Sequence, residues 1–358
     1  MRGINETTST REVDPARPEY VESRMLQPSE IPDRRTLITT HPVITREFQF
    51  PTPPLIRAFD IMLHTISSGA PSCAFIAFPR FGKTYAIAYY RERLKEVFSS
   101  LPIICFHAHH EIRSNARRFF TDLLSQSGYA EGRPSRDARE QLVRAWWVMA
   151  QSHSSKTIVL IGDEMQCLSS YEYSWLIDLT NDLQSLGVRV ISVLFGQPEL
   201  ASLRSVLRET HRGDILGRFM SRLYAFDGIA SASELRQVMS CYDDCLQGEY
   251  PVDSNCCFTQ FFLPQAYEQG WRLASCAGLC WEQFKIHATA RLNAPPAPKV
   301  SIGMEWVSGA VQFALTHYGD MDRPQFAISA EEWSAAIEST GFQDSLGLTY
   351  HPSWSAQL

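Results

Sequence analysis

The decisive stretch of the chain reads Cys73-Ala74-Phe75-Ile76-Ala77-Phe78-Pro79-Arg80-Phe81-Gly82-Lys83-Thr84. Its apolar first half predicts a buried β-strand over Cys73–Phe78, and the pattern from Lys83 onward predicts a helix to about Phe98. A loop between a buried strand and a helix directs backbone N–H groups at phosphate oxygens, with the helix dipole behind them. The stretch therefore predicts a loop that binds the phosphates of a nucleotide.

The loop matches the pattern G-x-x-x-x-G-K-[ST] except at its first position, which is Ala77. Gly82 lets the backbone approach the phosphates, Lys83 reaches the β- and γ-phosphates, and Thr84 offers a hydroxyl to Mg²⁺. The remaining loop residues that we expect around the phosphates are Pro79, Arg80 and Phe81. The alternative is a chance Gly-Lys-Thr that opens an ordinary helix, but the flanking strand and helix favour the phosphate loop.

A second apolar run, Thr157–Gly162, ends in an acidic pair. In a nucleotide site, Asp163 would hold the Mg²⁺ shell and Glu164 would orient and polarise the attacking water. The alternative is a pair of helix-capping acids after a core strand. Because the pair follows the phosphate loop with a strand–helix unit between them, the pattern favours a site that hydrolyses ATP.

Another polar side chain follows the next predicted strand, Val188–Phe195. Gln197 would lie at the carboxyl end of a strand beside the phosphate loop, where ligands gather in open α/β sheets. There it could sense the γ-phosphate. A turn before the helix that starts near Pro198 explains the residue equally well.

The alternation of strands and helices predicts an α/β fold, a P-loop NTPase with a parallel sheet covered by helices on both faces. Besides the three strands already given, two more are expected at Pro102–His107 and Leu223–Phe226. Beyond about Ser231 only helical periodicity remains, so an all-helical lid and C-terminal region should follow. Its expected helices are Ser233–Leu246, Thr259–Glu268, Trp271–Leu292, Met304–Thr316 and Ala330–Ser339. We expect four parts: a flexible arm at 1–34, a nucleotide-binding domain at 35–230, a helical lid at 231–293 and a helical extension at 294–358. Four aromatic residues of the extension could anchor a partner or pack in a helical core: Trp306, Trp333, Tyr350 and Trp354.

Composition limits the classes of protein to which this chain can belong. It has 358 residues, a net charge of −6 and nine cysteines. No apolar run reaches the roughly 18 residues of a membrane span, and the N-terminus lacks the apolar core of a secretory signal. These features predict a cytoplasmic protein with free thiols and no membrane partner. The acidic balance disfavours coating of nucleic acid by bulk charge, but it permits a local basic stripe.

Three segments, taken in order, resemble the TniB/TnsC family of transposon AAA+ ATPases: Pro79–Thr84, Asp163–Gln166 and Phe195–Leu200. The resemblance covers about Pro54 to Leu292. It implies an ATP-dependent regulator that assembles as a ring or helical filament on double-stranded DNA. It also implies that the protein connects a target-selection protein, in some systems a CRISPR-associated one, to a transposase.

The resemblance also implies roles for three arginines. Such ATPases share their sites between neighbouring subunits, so an arginine should reach the γ-phosphate of the next subunit. Arg218 is our preferred candidate and Arg222 the alternative, although either could form an ordinary ion pair within its own subunit. Gly270-Trp271-Arg272-Leu273 is similar to the glycine-led lid helix of the family, in which Arg272 would sense the nucleotide. A solvent-exposed arginine at a helix start is an equally good reading of Arg272.

DNA contacts are expected in the basic segment from His107 to Arg118, which follows the second strand. The resembling family places DNA-tracking residues there, and contacts to phosphates would position the protein without reading sequence. The residues that we expect to touch DNA are Arg113, Asn115, Arg117 and Arg118. A solvated helix face is the alternative.

Two other functions fit the same nucleotide site. One is a signalling or defence ATPase that switches a protein partner without binding DNA. The other is an AAA+ protein of the origin-loading type. The sequence contains no catalytic constellation typical of a transposase, so strand transfer would belong to a partner.

Overall fold

The computed structural model describes residues 34–128, 138–152, 154, 156–292 and 300–349. At its centre lies a five-stranded sheet in the order β2-β3-β4-β1-β5. The strands are β1 (Ser72–Ile76), β2 (Ile103–His107), β3 (Thr157–Asp163), β4 (Arg189–Gly196) and β5 (Leu223–Ala225). All neighbouring strands are parallel, so their carboxyl ends meet along one edge. This confirms the predicted α/β P-loop architecture.

Side chains from the central strands enter a different core on each face of the sheet. In β3, Val159 and Ile161 face one core, whereas Ile158 and Leu160 face the other. Because both faces of a crossover-connected sheet are covered by helices, such strands are apolar throughout. The first core also contains residues of α3 (Pro53–Ser68) and α4 (Lys83–Val97). The helices that supply the second core are α5 (Ala116–Gln126), α6 (Ala138–Ala150), α7 (Ser170–Ser185), α8 (Glu199–Glu209) and α9 (Gly213–Phe219).

The part of the chain after β5 is helical, as predicted. Its helices are α10 (Ala232–Tyr242), α11 (Phe258–Phe262), α12 (Pro264–Glu268), α13 (Ala277–Leu292), α14 (Met304–Tyr318), α15 (Ala330–Glu338) and α16 (Phe342–Thr349). Two short helices, α1 (Arg34–Ile38) and α2 (Pro42–Thr45), precede α3. Within the described ranges, every helix is too short or too polar to cross a lipid bilayer.

The helices on either side of the predicted lid boundary share one core. Phe284 of α13 and Phe342 of α16 make an edge-to-face contact with ring centroids 5.2 Å apart. Trp306 and Trp333 are also buried there, so of the two roles expected for them they fill the core role. Tyr350, Trp354 and nearly all of the predicted arm at 1–34 lie outside the described residues, as does the predicted linker at 293–299.

Local structure differs from the predicted helices in three places. The helix expected over Thr259–Glu268 is divided into α11 and α12 at Pro264, because proline lacks the N–H that a continuous helix requires. The helix expected from Trp271 begins only at Ala277, after a 3₁₀ turn over Leu273–Cys276. Helix α9 was not predicted, since only seven residues carry its periodicity.

Candidate nucleotide-binding site

The predicted phosphate loop joins β1 to α4 at the carboxyl edge of the sheet. The Ala77 N–H donates a 3.0 Å hydrogen bond to the Gly196 carbonyl at the end of β4, which fixes the start of the loop. Gly82 precedes α4 with φ of +90°, in the left-handed region that glycine adopts most easily. A Cβ atom at this position would meet no other atom within 4 Å, so backbone conformation and not space requires the glycine.

Lys83 and Glu164 form an ion pair at the mouth of this loop. The Lys83 Nζ atom lies 2.9 Å from Glu164 Oε1, and the two side chains are 7% and 21% exposed. Gln197 Nε2 donates a 2.9 Å hydrogen bond to Glu164 Oε2, and Gln166 donates to the same oxygen. The structure thus brings together Lys83, Glu164 and Gln197, which three separate segments supply.

The ionisation of Glu164 follows from these neighbours. Burial acts to raise the pKa of this carboxyl group, but the hydrogen bonds from Lys83, Gln166 and Gln197 outweigh it, and the pKa lies below the usual value of 4.5. Glu164 is therefore a carboxylate at neutral pH. A carboxylate can accept a hydrogen bond from water, as the attack on a γ-phosphate requires.

Thr84 and Asp163 offer a pair of oxygen ligands that fits Mg²⁺. The Thr84 hydroxyl donates to Asp163 Oδ2 over 3.4 Å, and Asp163 is 5% exposed. The backbone N–H of Glu164 donates to the other oxygen, Oδ1, over 2.9 Å and fixes the carboxylate. Mg²⁺ typically takes one or two such protein ligands and completes its shell with water and substrate phosphates. The imidazole Nδ1 of His107, from β2, also lies 3.4 Å from Asp163 Oδ2.

The loop opens into a cavity of about 550 Å³, a size typical of small-molecule sites. Two of its walls were not predicted from the sequence. One is an apolar wall formed by the segment before α3. The Tyr85 hydroxyl fixes this segment, because it donates a 2.8 Å hydrogen bond to the Phe48 carbonyl and accepts a 2.9 Å hydrogen bond from the Phe50 N–H. The cavity residues outside the phosphate loop include Phe48, Phe50, Leu55, Phe226, Met304, Glu305 and Ser308.

The second unpredicted wall is the start of α14. Glu305 lies 3.4 Å from Arg80 Nη1, and its backbone N–H donates 3.4 Å to the Arg80 carbonyl. A Cβ atom on Gly303 would lie 2.7 Å from that same carbonyl, so only glycine permits this approach. The helical region therefore contacts the phosphate loop through Arg80 and Glu305. The sequence placed Arg80 in the loop but gave no sign of its partner.

Arg272, expected to sense the nucleotide, does not line this cavity. Its Nη1 atom donates 2.9 Å to the Tyr267 carbonyl and 2.7 Å to the Trp271 carbonyl. Its guanidinium carbon lies 3.5 Å from the centre of the Tyr267 ring. The residue precedes the 3₁₀ turn in extended conformation, and so its side chain folds back onto α12 instead of reaching the phosphates.

Arg218 and Arg222 occupy different environments near the start of β5. Arg218 donates to Thr180 Oγ1 over 3.0 Å and to Asn181 Oδ1 over 2.6 Å, so α7 of the same subunit fixes its direction. Arg222 is exposed and makes no side-chain hydrogen bond or ion pair to any residue that the structure describes. Neither arginine lines the nucleotide cavity of its own subunit.

The four expected DNA contacts divide into two groups. Asn115 caps α5 by accepting a 3.0 Å hydrogen bond from the Arg118 N–H, and the Arg118 side chain pairs with Glu111 at 3.0 Å and Asp122 at 3.8 Å. Arg113 and Arg117 are exposed and have no side-chain partner within the described part of the chain. Only these two carry a positive charge that no neighbouring carboxylate offsets.

Comparison with known proteins agrees with the loop and the sheet. Residues 66–203, less than half of the chain, match the family model of the AAA domain. This segment contains the phosphate loop, the acidic pair and Gln197, so the chain contains a P-loop nucleotide-binding domain of the AAA type. A search of curated proteins finds no match.

Several solved structures are similar to this chain at low sequence identity. The Aeropyrum pernix ORC2 protein, in ADPNP and ADP complexes, has a TM-score of 0.49 at 13% identity, covering 84% of this chain and 71% of that one. Cdc6p from Pyrobaculum aerophilum has a TM-score of 0.40 at 14% identity, with coverage of 82% and 88%. The Aeropyrum pernix ORC1 protein in complex with DNA has a TM-score of 0.41 at 13% identity, with coverage of 80% and 64%. Similarity at this level assigns no function to the chain.

Proposed function

We propose that this protein is an Mg²⁺-dependent ATPase that assembles as an oligomer on double-stranded DNA and links target selection to a transposase. The observation that carries the ATPase part is the arrangement of Lys83, Glu164 and Gln197 around one phosphate loop. The transposon part of the proposal rests on the three ordered segments that resemble the TniB/TnsC family.

Hydrolysis would use the side chains in the following way. Lys83 leaves Glu164 for the β- and γ-phosphates, and this frees the Glu164 carboxylate to orient the attacking water. Gln197, already hydrogen-bonded to Glu164, would contact the γ-phosphate. Thr84 and Asp163 would hold Mg²⁺, which neutralises charge that develops on the phosphates. Because Lys83 changes partner, ATP binding itself prepares the general base.

Assembly would supply the remaining positive charge. Arg218 lies near the amino end of β4, and the seven steps of that strand to Gly196 span roughly 23 Å, at about 3.3 Å a residue. At that distance Arg218 cannot reach the nucleotide of its own subunit. In the proposed oligomer it would leave Thr180 and Asn181 to contact the nucleotide of a neighbour, so hydrolysis would depend on assembly.

DNA binding would rest on the repetition of two free charges. In the described basic segment, Arg113 and Arg117 are the two arginines without a side-chain partner, on a chain of net charge −6. A ring or filament would place many copies along the duplex, and ATP would be needed because it closes the subunit interfaces. Such contacts neutralise phosphates and release counterions, so binding should weaken with salt and depend little on sequence.

A fluorescence-anisotropy titration of random duplex, with and without ATP and at several salt concentrations, tests this proposal. We expect binding only with ATP, with similar affinity for unrelated sequences. Strong preference for one sequence would favour the origin-loading alternative. Absence of duplex binding with ATP, even at low salt, would overturn the DNA proposal.

The second candidate function is an ATPase that switches a protein partner. One observation favours it: Arg118, the last residue of the basic segment, is already paired with Glu111 and Asp122. In that case ATP would still close the subunits, but the titration would show no DNA binding. The exposed Ile112, which is 95% accessible beside Arg113, would then be a natural anchor for a protein partner.

A further inference from the structure

A second cavity, of about 460 Å³, lies at the opposite edge of the sheet from the phosphate loop. It is enclosed by the link from α3 to β1, the end of α7, the start of β4 and the end of α9. Its polar side chains belong to Thr180, Gln184, Arg189, Ser192 and Arg218. Nothing in the nucleotide chemistry described above uses this cavity as a binding site, although Arg218 lies in its wall.

The charged side chains that line the cavity within the described part of the chain have one sign. They belong to Arg189 and Arg218, and no aspartate or glutamate is among the described lining residues. Arg189 is exposed, and its side chain has no hydrogen-bond or ion-pair partner among the residues that the structure describes. Two acids of α7, Asp178 and Asp182, pair with Arg139 of α6. Two guanidinium groups thus face the same space without a carboxylate to offset them.

The two guanidinium groups have different surroundings. Arg218 is fixed by neutral acceptors, Thr180 and Asn181, which orient it without removing its charge. Arg189 Nη1 packs against Gly69, the residue that ends α3, and a Cβ atom there would lie only 2.6 Å away. Gly69 caps the carboxyl end of α3 with φ of +68°. The partial negative charge at this helix end favours a nearby cation such as Arg189. The Arg189 guanidinium group thus lies against the carboxyl end of α3 and is exposed to solvent.

We propose that this two-arginine cavity binds a phosphate-type oxyanion, with Arg189 and Arg218 as its cationic ligands. Guanidinium groups make paired hydrogen bonds to such anions, and the cavity is large enough for a di- or triphosphate. The anion has two conceivable sources: a free polyphosphate in solution, or the phosphates of the nucleotide held by a neighbouring copy. The second source rests on the proposed oligomer, and the first does not.

Binding of pyrophosphate to monomeric Lys83→Ala protein tests the first source, because that variant lacks the main cation of the phosphate loop. Isothermal titration calorimetry should detect pyrophosphate binding that Arg189→Ala weakens about tenfold or more, as loss of a charge-assisted contact predicts. Arg189→Lys should weaken it less, since it keeps the charge. Arg208→Ala, an exposed arginine of α8 outside the cavity, is the matched control.

Mixed subunits test the second source. Arg218→Ala protein supplies intact nucleotide sites, and Lys83→Ala protein supplies intact cavities, so turnover arises only where the two types meet. Adding Arg189→Ala to the Lys83→Ala partner should lower this hybrid turnover about tenfold, because the cavity would lose one of its two cations. Adding Arg208→Ala should leave it unchanged.

Either result identifies the source and supports the oxyanion site. The proposal is overturned if Arg189→Ala and Arg208→Ala affect pyrophosphate binding equally and hybrid turnover does not respond to Arg189→Ala. If the mixture shows no turnover at all, the calorimetric arm alone decides. Failure of duplex binding would reject the DNA proposal but would leave the calorimetric arm unaffected, so the two failures are distinguishable.

Discussion

The nucleotide cavity and the His107–Arg118 segment lie at the same edge of the sheet but satisfy their charges in opposite ways. In the cavity, Lys83 and Glu164 are largely buried and each serves as the other's partner. In the segment, Arg113 and Arg117 are exposed and have no side-chain partner within the described residues. Asn115 and Arg118, between and beside them, are occupied by helix capping and by ion pairs.

This difference separates a site prepared for a small ligand from a surface prepared for a large one. A buried ion pair is costly to break on one side only, because the remaining charge stays desolvated. A phosphate that takes Lys83 away from Glu164 should therefore change the environment of the Glu164 carboxylate strongly. Exposed charges, by contrast, contribute little to stability and act mainly by attracting a partner of opposite sign over a distance.

The largest expected effect concerns Lys83. Lys83→Ala should weaken ATP binding about 100-fold or more, because it removes the phosphate ligand and leaves Glu164 as an unpaired charge in the cavity. Calorimetric titration with ATP measures this loss. Lys95→Ala, an exposed lysine on the same helix, is the matched control. Wild-type affinity in Lys83→Ala protein would show that the cavity is not the ATP site.

Glu164→Gln should retain ATP but slow its hydrolysis by about 10²- to 10³-fold, as expected for loss of a general base. The amide keeps the size of the side chain and its contacts with Gln197 while removing its charge. Phosphate release in single-turnover experiments measures the chemical step, and Glu209→Gln at the exposed end of α8 controls for loss of a negative charge. An unchanged rate would move the role of base to another residue.

In the basic segment, substitution of the arginines that lack an ion pair should weaken duplex binding more than substitution of the paired arginine. Replacing Arg113 and Arg117 together with alanine should weaken duplex binding about tenfold and reduce the salt slope by about 2 for each subunit engaged, since each phosphate contact contributes about 0.9. Arg118→Ala should change binding much less, because Glu111 and Asp122 already offset its charge. Anisotropy titrations across salt concentrations compare them, and equal losses from both changes would contradict the division.

The smallest expected effect distinguishes Glu305 of the helical extension from Arg272 of the predicted lid. Glu305→Ala should tighten ATP binding by up to about fivefold, because it frees Arg80 for the phosphates and a half-exposed pair contributes at most about 1 kcal/mol. Arg272→Ala should leave the affinity unchanged, since its side chain is folded onto Tyr267. Titration with a fluorescent ATP analogue resolves such differences. A loss of affinity in Arg272→Ala would indicate that the lid moves to bring Arg272 to the nucleotide.

Local sequence patterns correctly predicted the five strands, their parallel arrangement and the loop at Lys83. These features depend on hydrophobic runs and on backbone geometry within a few consecutive residues, which is information that a single segment contains. The proximity of Glu164 to Lys83 and Gln197 could also be predicted, because parallel strands place their carboxyl ends side by side. The second cavity was not, since no motif marks Arg189 or Gly69.

The sequence by itself thus determined that the chain has a phosphate loop, an acidic pair beside it and a sheet that positions both. Only the tertiary structure decided which charges remain available. It placed Glu305 against Arg80, turned Arg272 onto Tyr267, and paired Arg118, while Arg113 has no side-chain partner among the residues described. The physical reason is that packing between segments far apart in the chain determines the partner of a side chain. Local sequence periodicity does not predict that packing.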